Sequence, residues 1–254
     1  MTTSGGTRTS FCAWSWLSRV LGRLGRVAEG VIALLYPPEC VACGRPLSNP
    51  GILCSVCAAS LEEPSGRRCA VCGTDLDDPA LDLCLACGTR DRGFDHVVAL
   101  GPYDALWGRL VRAFKFDREP AVGRWLGERL AEAAERDGMA EAVDWVTFVP
   151  MTNGERRARG FNQARTLAGH VARRLGLPLR RTLVKVRSTS DQAALSASVR
   201  RDNLRGAFRA IPSRNVRVLL IDDICTTGST AEACARALRS EGAASVSVLV
   251  VARA

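Results

Sequence analysis

From position 94 onward, short apolar runs alternate with amphipathic stretches. The runs at 143–150, 179–186, 216–221 and 245–252 read as strands, and 96–103 alternates enough for an edge strand. Val218-Leu219-Leu220-Ile221 is too short for a helix and suits a buried parallel strand. Helical spacing covers about 105–116, 122–136, 161–175 and 230–240, the last closing at Gly242. The stretch 187–198 is rich in Ser, Thr and Asp and reads as a loop, and 203–210 leads into the strand at 216. Strands alternating with helices predict an α/β fold with a mostly parallel sheet and ligands at its carboxyl ends.

The first third has a different texture. Residues 1–10 are small and polar and read as a disordered tail. Across 11–36, Trp14, Leu17, Leu21, Leu24, Ala28, Val31 and Leu35 recur at three- and four-residue steps. Arg19, Arg23 and Arg26 interrupt this pattern, so it is not a transmembrane span. The amphipathic helix it predicts packs on the protein's own body or on a partner. The alternative is that it lies on a membrane surface. Pro37 and Pro38 end it.

Next come four C-x-x-C pairs, Cys40/Cys43, Cys54/Cys57, Cys69/Cys72 and Cys84/Cys87. Apolar residues are too few here for burial alone to fold the segment. Thiolates so spaced suit tetrahedral zinc, and eight ligands imply two structural Zn²⁺ ions. Disulfides are the alternative in an oxidising compartment. Sequential pairing, as two successive zinc ribbons, is favoured over a cross-brace. Gly44, Gly73 and Gly88 follow the second cysteine of three pairs, where a small residue lets N–H groups turn toward the sulfurs. Cys12, Cys225 and Cys234 are left over, and Cys225 reads as a small filler within a loop.

Charge adds a regional feature. The formal net charge is +9, and 156–217 holds 16 Lys/Arg against Asp191 and Asp202. That segment suits a diphosphate group, a polyanion such as single-stranded nucleic acid, or a merely solvated cationic face. His96 and His170 are the only histidines, and both read as structural.

The most informative chemistry lies at Asp222-Asp223-Ile224-Cys225-Thr226-Thr227-Gly228-Ser229-Thr230. Two carboxylates at a strand end accept hydrogen bonds from vicinal sugar hydroxyls. A small, hydroxyl-rich turn before a helix closes backbone N–H groups around a phosphate, favoured by the positive helix end. A second anion grip follows the 143–149 strand, where Pro150-Met151 leads to Arg156, Arg157, Arg159, Gly160, Phe161, Asn162 and Gln163. Lys185 and Arg187 end the next strand. All three groups are expected on one rim of the sheet.

The acidic pair and its Thr/Gly turn resemble the 5-phosphoribosyl 1-diphosphate (PRPP) loop of type I phosphoribosyltransferases. Further motifs in order, Val149-Pro150-Met151, Arg156, 159–164, Arg187, Gln192, Leu195, Arg200, Asn203 and 206–208, resemble the ComF family over roughly 35–254, and the tract from Tyr103 through Phe114-Lys115-Phe116 is similar too. Two departures stand out: Thr226 occupies the place of an acid in hypoxanthine-type relatives, and Phe148 that of a second proline in many ComF relatives.

The resemblance implies an α/β phosphoribosyltransferase domain with a mostly parallel sheet at 94–254. A small double zinc-ribbon module at 37–93 precedes it, after a tail and helix at 1–36. It also implies that Asp222 and Asp223 hold the ribose hydroxyls, Thr226, Thr227, Gly228, Ser229 and Thr230 hold the 5-phosphate, and Mg²⁺ accompanies PRPP. Pro150, Met151, Arg156, Arg159, Asn162 and Gln163 complete the PRPP site, and Lys185 and Arg187 join the two acids in catalysis. The 188–196 loop is expected to close over the site. The acceptor is left open. Competence, single-stranded DNA binding, a DNA-uptake helicase partner and a cytoplasmic place, with an alternative at the inner membrane face, are implied by the family alone. Beside the enzyme stand two other readings, a non-enzymatic DNA-uptake factor and a metal-stapled scaffold with a vestigial pocket.

Overall fold

The computed structural model describes residues 38–49, 51–61, 66–78, 80–117, 119–187, 189 and 203–254. The amphipathic stretch at 11–36, Cys12 and nearly all of the 187–198 loop lie outside the described residues. The chain divides into two compact units, Met1–Cys54 and Ser55–Ala254.

In the first unit, the Cys40 knuckle is a tight turn. Cys40 N–H donates to Arg45 O (2.8 Å), Gly44 N–H donates to Cys40 O (2.8 Å), and Glu39 bridges Pro46. Gly44 sits at φ +71°, a left-handed turn that an L side chain strains.

The second unit repeats this design and then builds the large domain. Its knuckle has Cys69 N–H donating to Thr74 O (2.8 Å) and Gly73 at φ +67°. Helix α1 (Ser55–Ala59) carries Cys57, and α2 (Leu85–Gly88) carries Cys87 with Cys84 at its N-cap. Gly88 is thus the end of a short helix, unlike Gly44 and Gly73, which take the left-handed conformation.

The central sheet contains β1 (His96–Pro102), β2 (Trp145–Phe148), β5 (Arg217–Cys225) and β6 (Ser245–Arg253), in the order β1-β6-β5-β2, all parallel. β1 is an edge strand, as its alternation predicts. The two central strands are buried on both faces, which explains their nearly unbroken apolar runs. Val218, Leu220, Val246, Val248 and Val250 pack with Ala231, Cys234, Ala235 and Leu238 of α8 (Ser229–Ser240). Cys69, Cys72, Cys87 and Phe94 join the same cluster, so the second cysteine group is rooted in the domain's core. By alternation, Leu219, Ile221, Leu249 and Val251, all fully buried, serve the opposite face.

The remaining helices are α3 (Ala105–Arg112), α4 (Pro120–Arg136), α5 (Met139–Ala142), α6 (Asn153–Arg159) and α7 (Gln163–Leu175). α4 starts with Pro120 at its first turn, and α7 ends at Gly176 in the left-handed region. These two helices cross closely, because a Cβ on Gly127 would meet His170 Cβ at 2.3 Å. His170 is therefore a packing residue.

Four differences from the sequence reading have physical causes. β5 runs on through both acids to Cys225, because β6 extends to Arg253 and supplies ladder partners, Asp222 opposite Val250 and Ile224 opposite Ala252. The stretch 179–186 is not a fifth strand of the main sheet. Leu179 makes one bridge to Val146, then Arg180-Arg181 prevents burial on two faces. The chain instead forms β3 (Leu183–Lys185), antiparallel to β4 (Phe208–Ala210), as a separate two-stranded sheet. α6 replaces the turn expected after β2. Its signal was present in the sequence: Thr152 Oγ1 accepts from Glu155 N–H while Glu155 accepts from Thr152 N–H, a capping box. Finally, the helix from Ala105 passes into a π turn at Ala113–Asp117, a one-turn insertion too short to alter periodicity.

Candidate functional site

The acids stand in the second half of β5. Asp222 is half-buried and Asp223 is buried; Asp223 N–H donates to Asp222 Oδ1 at 2.9 Å. The π turn delivers Lys115, whose Nζ lies 2.9 Å from Asp223 Oδ2, with both side chains largely buried. Burial, then the charge of Asp223, pushes the Asp222 carboxyl up to about 7, against the pull of Lys115 and Arg159. One carboxyl is thus paired and its neighbour is held near the midpoint of titration at neutral pH. That arrangement prefers a partner that donates hydrogen bonds.

Beyond the acids, Cys225 closes the strand and Thr226–Gly228 form the turn. Gly228 has φ +75° and caps α8. Thr227 Oγ1 and Ser229 Oγ are 2.8 Å apart. The turn therefore gathers hydroxyls and backbone at the positive end of a twelve-residue helix. Ser229 and Thr230 already belong to that helix rather than to the loop. Cys225 is buried and its thiol is raised by burial, which makes it an inert filler.

The turn after β2 is held from within. Asn162 Nδ2 donates to Val149 O (3.1 Å) while its Oδ1 accepts from Arg165 N–H (2.9 Å) as the cap of α7. Lys185 Nζ donates to Glu155 Oε1 at 2.6 Å. Burial opposes ionisation of Glu155, but the bonds from Lys185 and Thr152 prevail and hold its carboxyl below the usual range. Pro150, Met151, Arg156 and Asn162 border a cleft of about 670 Å³, together with Arg165, Arg173 and Arg181.

The cysteines form two sequential groups. The sulfurs of Cys40, Cys43, Cys54 and Cys57 lie within 4.8 Å of one another, and so do those of Cys69, Cys72, Cys84 and Cys87. Cys43–Cys54 and Cys72–Cys84 are 3.8 and 3.7 Å apart, sulfur to sulfur. A tetrahedron with ~2.3 Å Zn–S bonds has an edge of ~3.8 Å, far longer than the ~2.05 Å of a disulfide. The donors therefore fit two structural zinc ions in the favoured sequential arrangement.

The chain matches the family models of a double zinc ribbon domain at residues 31–90 and a phosphoribosyl transferase domain at 162–254. It is 33% identical over 219 residues to the DNA utilization protein YhgH of Salmonella typhimurium, covering 84% of this chain and 83% of that protein. Competence protein F of Haemophilus influenzae is 34% identical over 173 residues, covering 65% of this chain and 76% of that protein. The chain belongs to the ComF family. Among solved structures, this ComF-family protein is similar to the glutamine PRPP amidotransferase of B. subtilis bound to ADP and GMP. The identity is 23% and the TM-score 0.38, over 54% of this chain and 30% of that one. UMP synthase of Leishmania donovani gives 21% and 0.31, over 55% and 22%.

In this ComF-family protein the expected site residues fall into three groups. Asp222, Asp223 and the Thr226–Thr230 segment are contiguous, and Arg159 acts on Asp222 through its charge. Pro150, Met151, Arg156 and Asn162 border the arginine-lined cleft. Arg187 is tied to backbone, donating to Asn203 O (2.6 Å) and Arg205 O (3.0 Å). Gln163 stands apart: its side chain is fully buried, and neither amide atom has a hydrogen-bond partner among the described residues. Such groups cost ~1–3 kcal/mol. Gln163→Met is expected to raise stability by about 1 kcal/mol, read from the urea midpoint at unchanged m-value. Lys115 is the residue that sequence reasoning missed as part of the site. Its tract, Tyr103 through Phe114-Lys115-Phe116, belongs to the family resemblance, but no role was read for the lysine itself, one of two in the chain.

Proposed function

We propose that this protein binds PRPP with Mg²⁺ at the carboxyl end of β5 and transfers the phosphoribosyl group to an acceptor nucleophile. The observation that carries this reading is the Asp222–Asp223 pair, with Lys115 on Asp223, set directly before the Thr226–Gly228 turn and the α8 N-terminus. In this reading Asp222 and Asp223 accept hydrogen bonds from the ribose hydroxyls and stabilise positive charge on the sugar as the bond to diphosphate breaks. Thr227, Gly228, Ser229 and Thr230 hold the 5-phosphate. Arg156, Arg159, Lys185 and Arg187 neutralise the departing diphosphate, with Lys185 reaching it from its ion pair with Glu155. The adjacent carboxylates suit a hard cation carried on the ligand's own oxygens, and Mg²⁺ there would supply charge neutralisation. Thr226 is neither acid nor base near neutral pH, which disfavours a 6-oxopurine acceptor. The working division is a tail and helix at 1–36, the zinc module at 37–93 and the transferase domain at 94–254.

Calorimetric titration with PRPP and Mg²⁺ tests the reading. One site per chain is expected, with diphosphate released once the acceptor is present. Absence of binding heat overturns it, and binding without turnover on any base, amine or nucleic acid removes the enzymatic half.

A second reading is favoured by the arginine-lined cleft and by the names of the relatives: a competence factor that binds single-stranded DNA, with PRPP as a regulatory ligand. A cytoplasmic place and a DNA-uptake helicase partner belong to this reading. Among the described residues no helix is long and apolar enough to cross a membrane. Arg156, Arg165, Arg173 and Arg181 would track phosphates along α7. Charge reversal at Arg165 and Arg173, which both line the cleft, is expected to weaken single-strand affinity at least tenfold and to flatten its salt dependence by about one contact each, at ~0.7 in slope per contact. Affinity indifferent to salt or to both reversals counts against this reading.

A further inference from the structure

The phosphate turn is braced from its outer side by two arginines that no expected role used. Arg92 lies on the segment that leaves the second cysteine group and is 5% exposed. Its Nη2 donates to Thr227 O at 2.6 Å, and its Nε lies 3.3 Å from Glu232 Oε2 on the first turn of α8. Glu232 is itself buried and also receives Arg90 Nη2 at 2.8 Å. A Cβ on Gly228 would meet Arg92 Nη2 at 2.5 Å, so the guanidinium packs directly against the turn. From the other end, Arg253 Nη1, at the close of β6, donates to Thr226 O and to Cys225 O.

In a trans peptide the C=O and N–H groups point in opposite directions. Holding the Thr227 carbonyl therefore turns the Gly228 N–H away from Arg92, and holding the Thr226 carbonyl turns the Thr227 N–H away from Arg253. Two successive amides facing one side make an anion-binding concavity. A flipped Thr227–Gly228 peptide would present a carbonyl to the phosphate instead. Gly228, at φ +75° and without a side chain, has little stereochemical resistance to such a flip, so an external brace is needed.

We propose that Arg92 is a positioning residue for 5-phosphate binding. It locks the Thr227–Gly228 peptide with its amide toward the ligand, and Arg253 does the same for Thr226–Thr227. Arg92 does not touch the ligand. Its guanidinium is held by Glu232 and by the chain leaving Cys87, which links the second zinc ribbon to the phosphate turn. The inference rests on the reading of this turn as the 5-phosphate grip.

The test uses the full-length, zinc-loaded protein and two probes, ribose 5-phosphate and inorganic diphosphate, each with Mg²⁺. Arg92→Met is expected to weaken ribose 5-phosphate at least tenfold, leave diphosphate within twofold, and keep two zinc ions per chain. Arg92→Lys retains one donor but cannot span Thr227 O and Glu232, and should recover part of the loss. Should Arg92→Met fold poorly, Glu232→Gln decides: it keeps the guanidinium but loosens its anchor, with an expected loss of about threefold for ribose 5-phosphate alone. Unchanged ribose 5-phosphate affinity in these variants overturns the inference while leaving the PRPP reading intact. An equal loss for both probes also overturns it, by showing general damage. A wild-type protein that binds neither probe overturns the PRPP reading, and the inference with it.

Discussion

Replacing Asp222 and Asp223 together with Asn is expected to lower PRPP affinity by at least 100-fold, measured calorimetrically. Each carboxylate offers charge-assisted hydrogen bonds to a hydroxyl, worth roughly 1.5–3 kcal/mol apiece, and an amide retains only part of that. Double-variant binding within threefold of wild type would remove the basis of the proposed site. The single variants should diverge in stability. Asp223→Asn strips the partner from the largely buried Lys115 ammonium and should cost about 3 kcal/mol or more. Asp222→Asn should do the reverse. Its carboxyl is held at about 7, so between pH 4 and 7 the folded protein keeps a proton that the unfolded chain has lost. That burden is absent below pH 4, grows to pH 7 and is complete above it. At ~1.4 kcal/mol per pH unit, Asp222→Asn should gain on the order of 2–4 kcal/mol at pH 8 and nothing at pH 4. Denaturant unfolding at the two pH values checks this, and a gain that did not grow with pH would refute the assignment. A bound polyhydroxyl ligand would supply the hydrogen bonds that the free carboxylate lacks, so affinity should rise with pH across the same window.

The second large effect concerns zinc. Cys87→Ser removes a buried ligand from the second group, and Cys87 belongs to the cluster that includes Phe94, Cys225, Ala231 and Val250. Zinc content should fall from two per chain to one, and the melting temperature should drop by about 10 °C or more. Structural zinc supplies ~10–16 kcal/mol in small zinc-finger peptides, and even a fraction of that moves a domain of this size by ~2–4 °C per kcal/mol. Cys43→Ser, at an exposed position of the first group, should also lose one zinc but shift the melting temperature much less. Equal shifts would show that rooting in the core is not what matters. If the chain leaving Cys87 holds Arg92 in place, Cys87→Ser should also weaken ribose 5-phosphate.

Much of the fold was legible because its signals are local. Val218–Ile221 announces a buried strand by its apolar run, and the 245–252 strand and the helix after Thr230 follow from periodicity. The cysteine pairs announce their metal by spacing, and the structure resolves their sequential grouping. What escaped was of two kinds. The capping box at Thr152 and Glu155 was readable but was outweighed by the arginines around it. The π turn that aims Lys115 was not readable, since one inserted residue in a helical run leaves no periodic trace. Likewise, 179–186 had the composition of a strand, but strand composition does not name a partner. The arginines at 180 and 181 turned it toward β4 instead of the main sheet.

By itself the sequence determined the family, the eight zinc-spaced cysteines, the parallel α/β architecture and the acidic pair before a Thr/Gly turn. All of these depend on residues close together in the chain, where spacing and periodicity act directly. The tertiary structure alone decided that Lys115 meets Asp223, that Asp222 is held near neutrality, and that Arg92 and Arg253 donate to the carbonyls of the Thr226–Gly228 turn. The contacts of Lys115, Arg92 and Arg253 join residues more than 25 positions apart. Their energies come from burial and from the direction of a carbonyl, and neither exists until the sheet and its flanking helices have assembled.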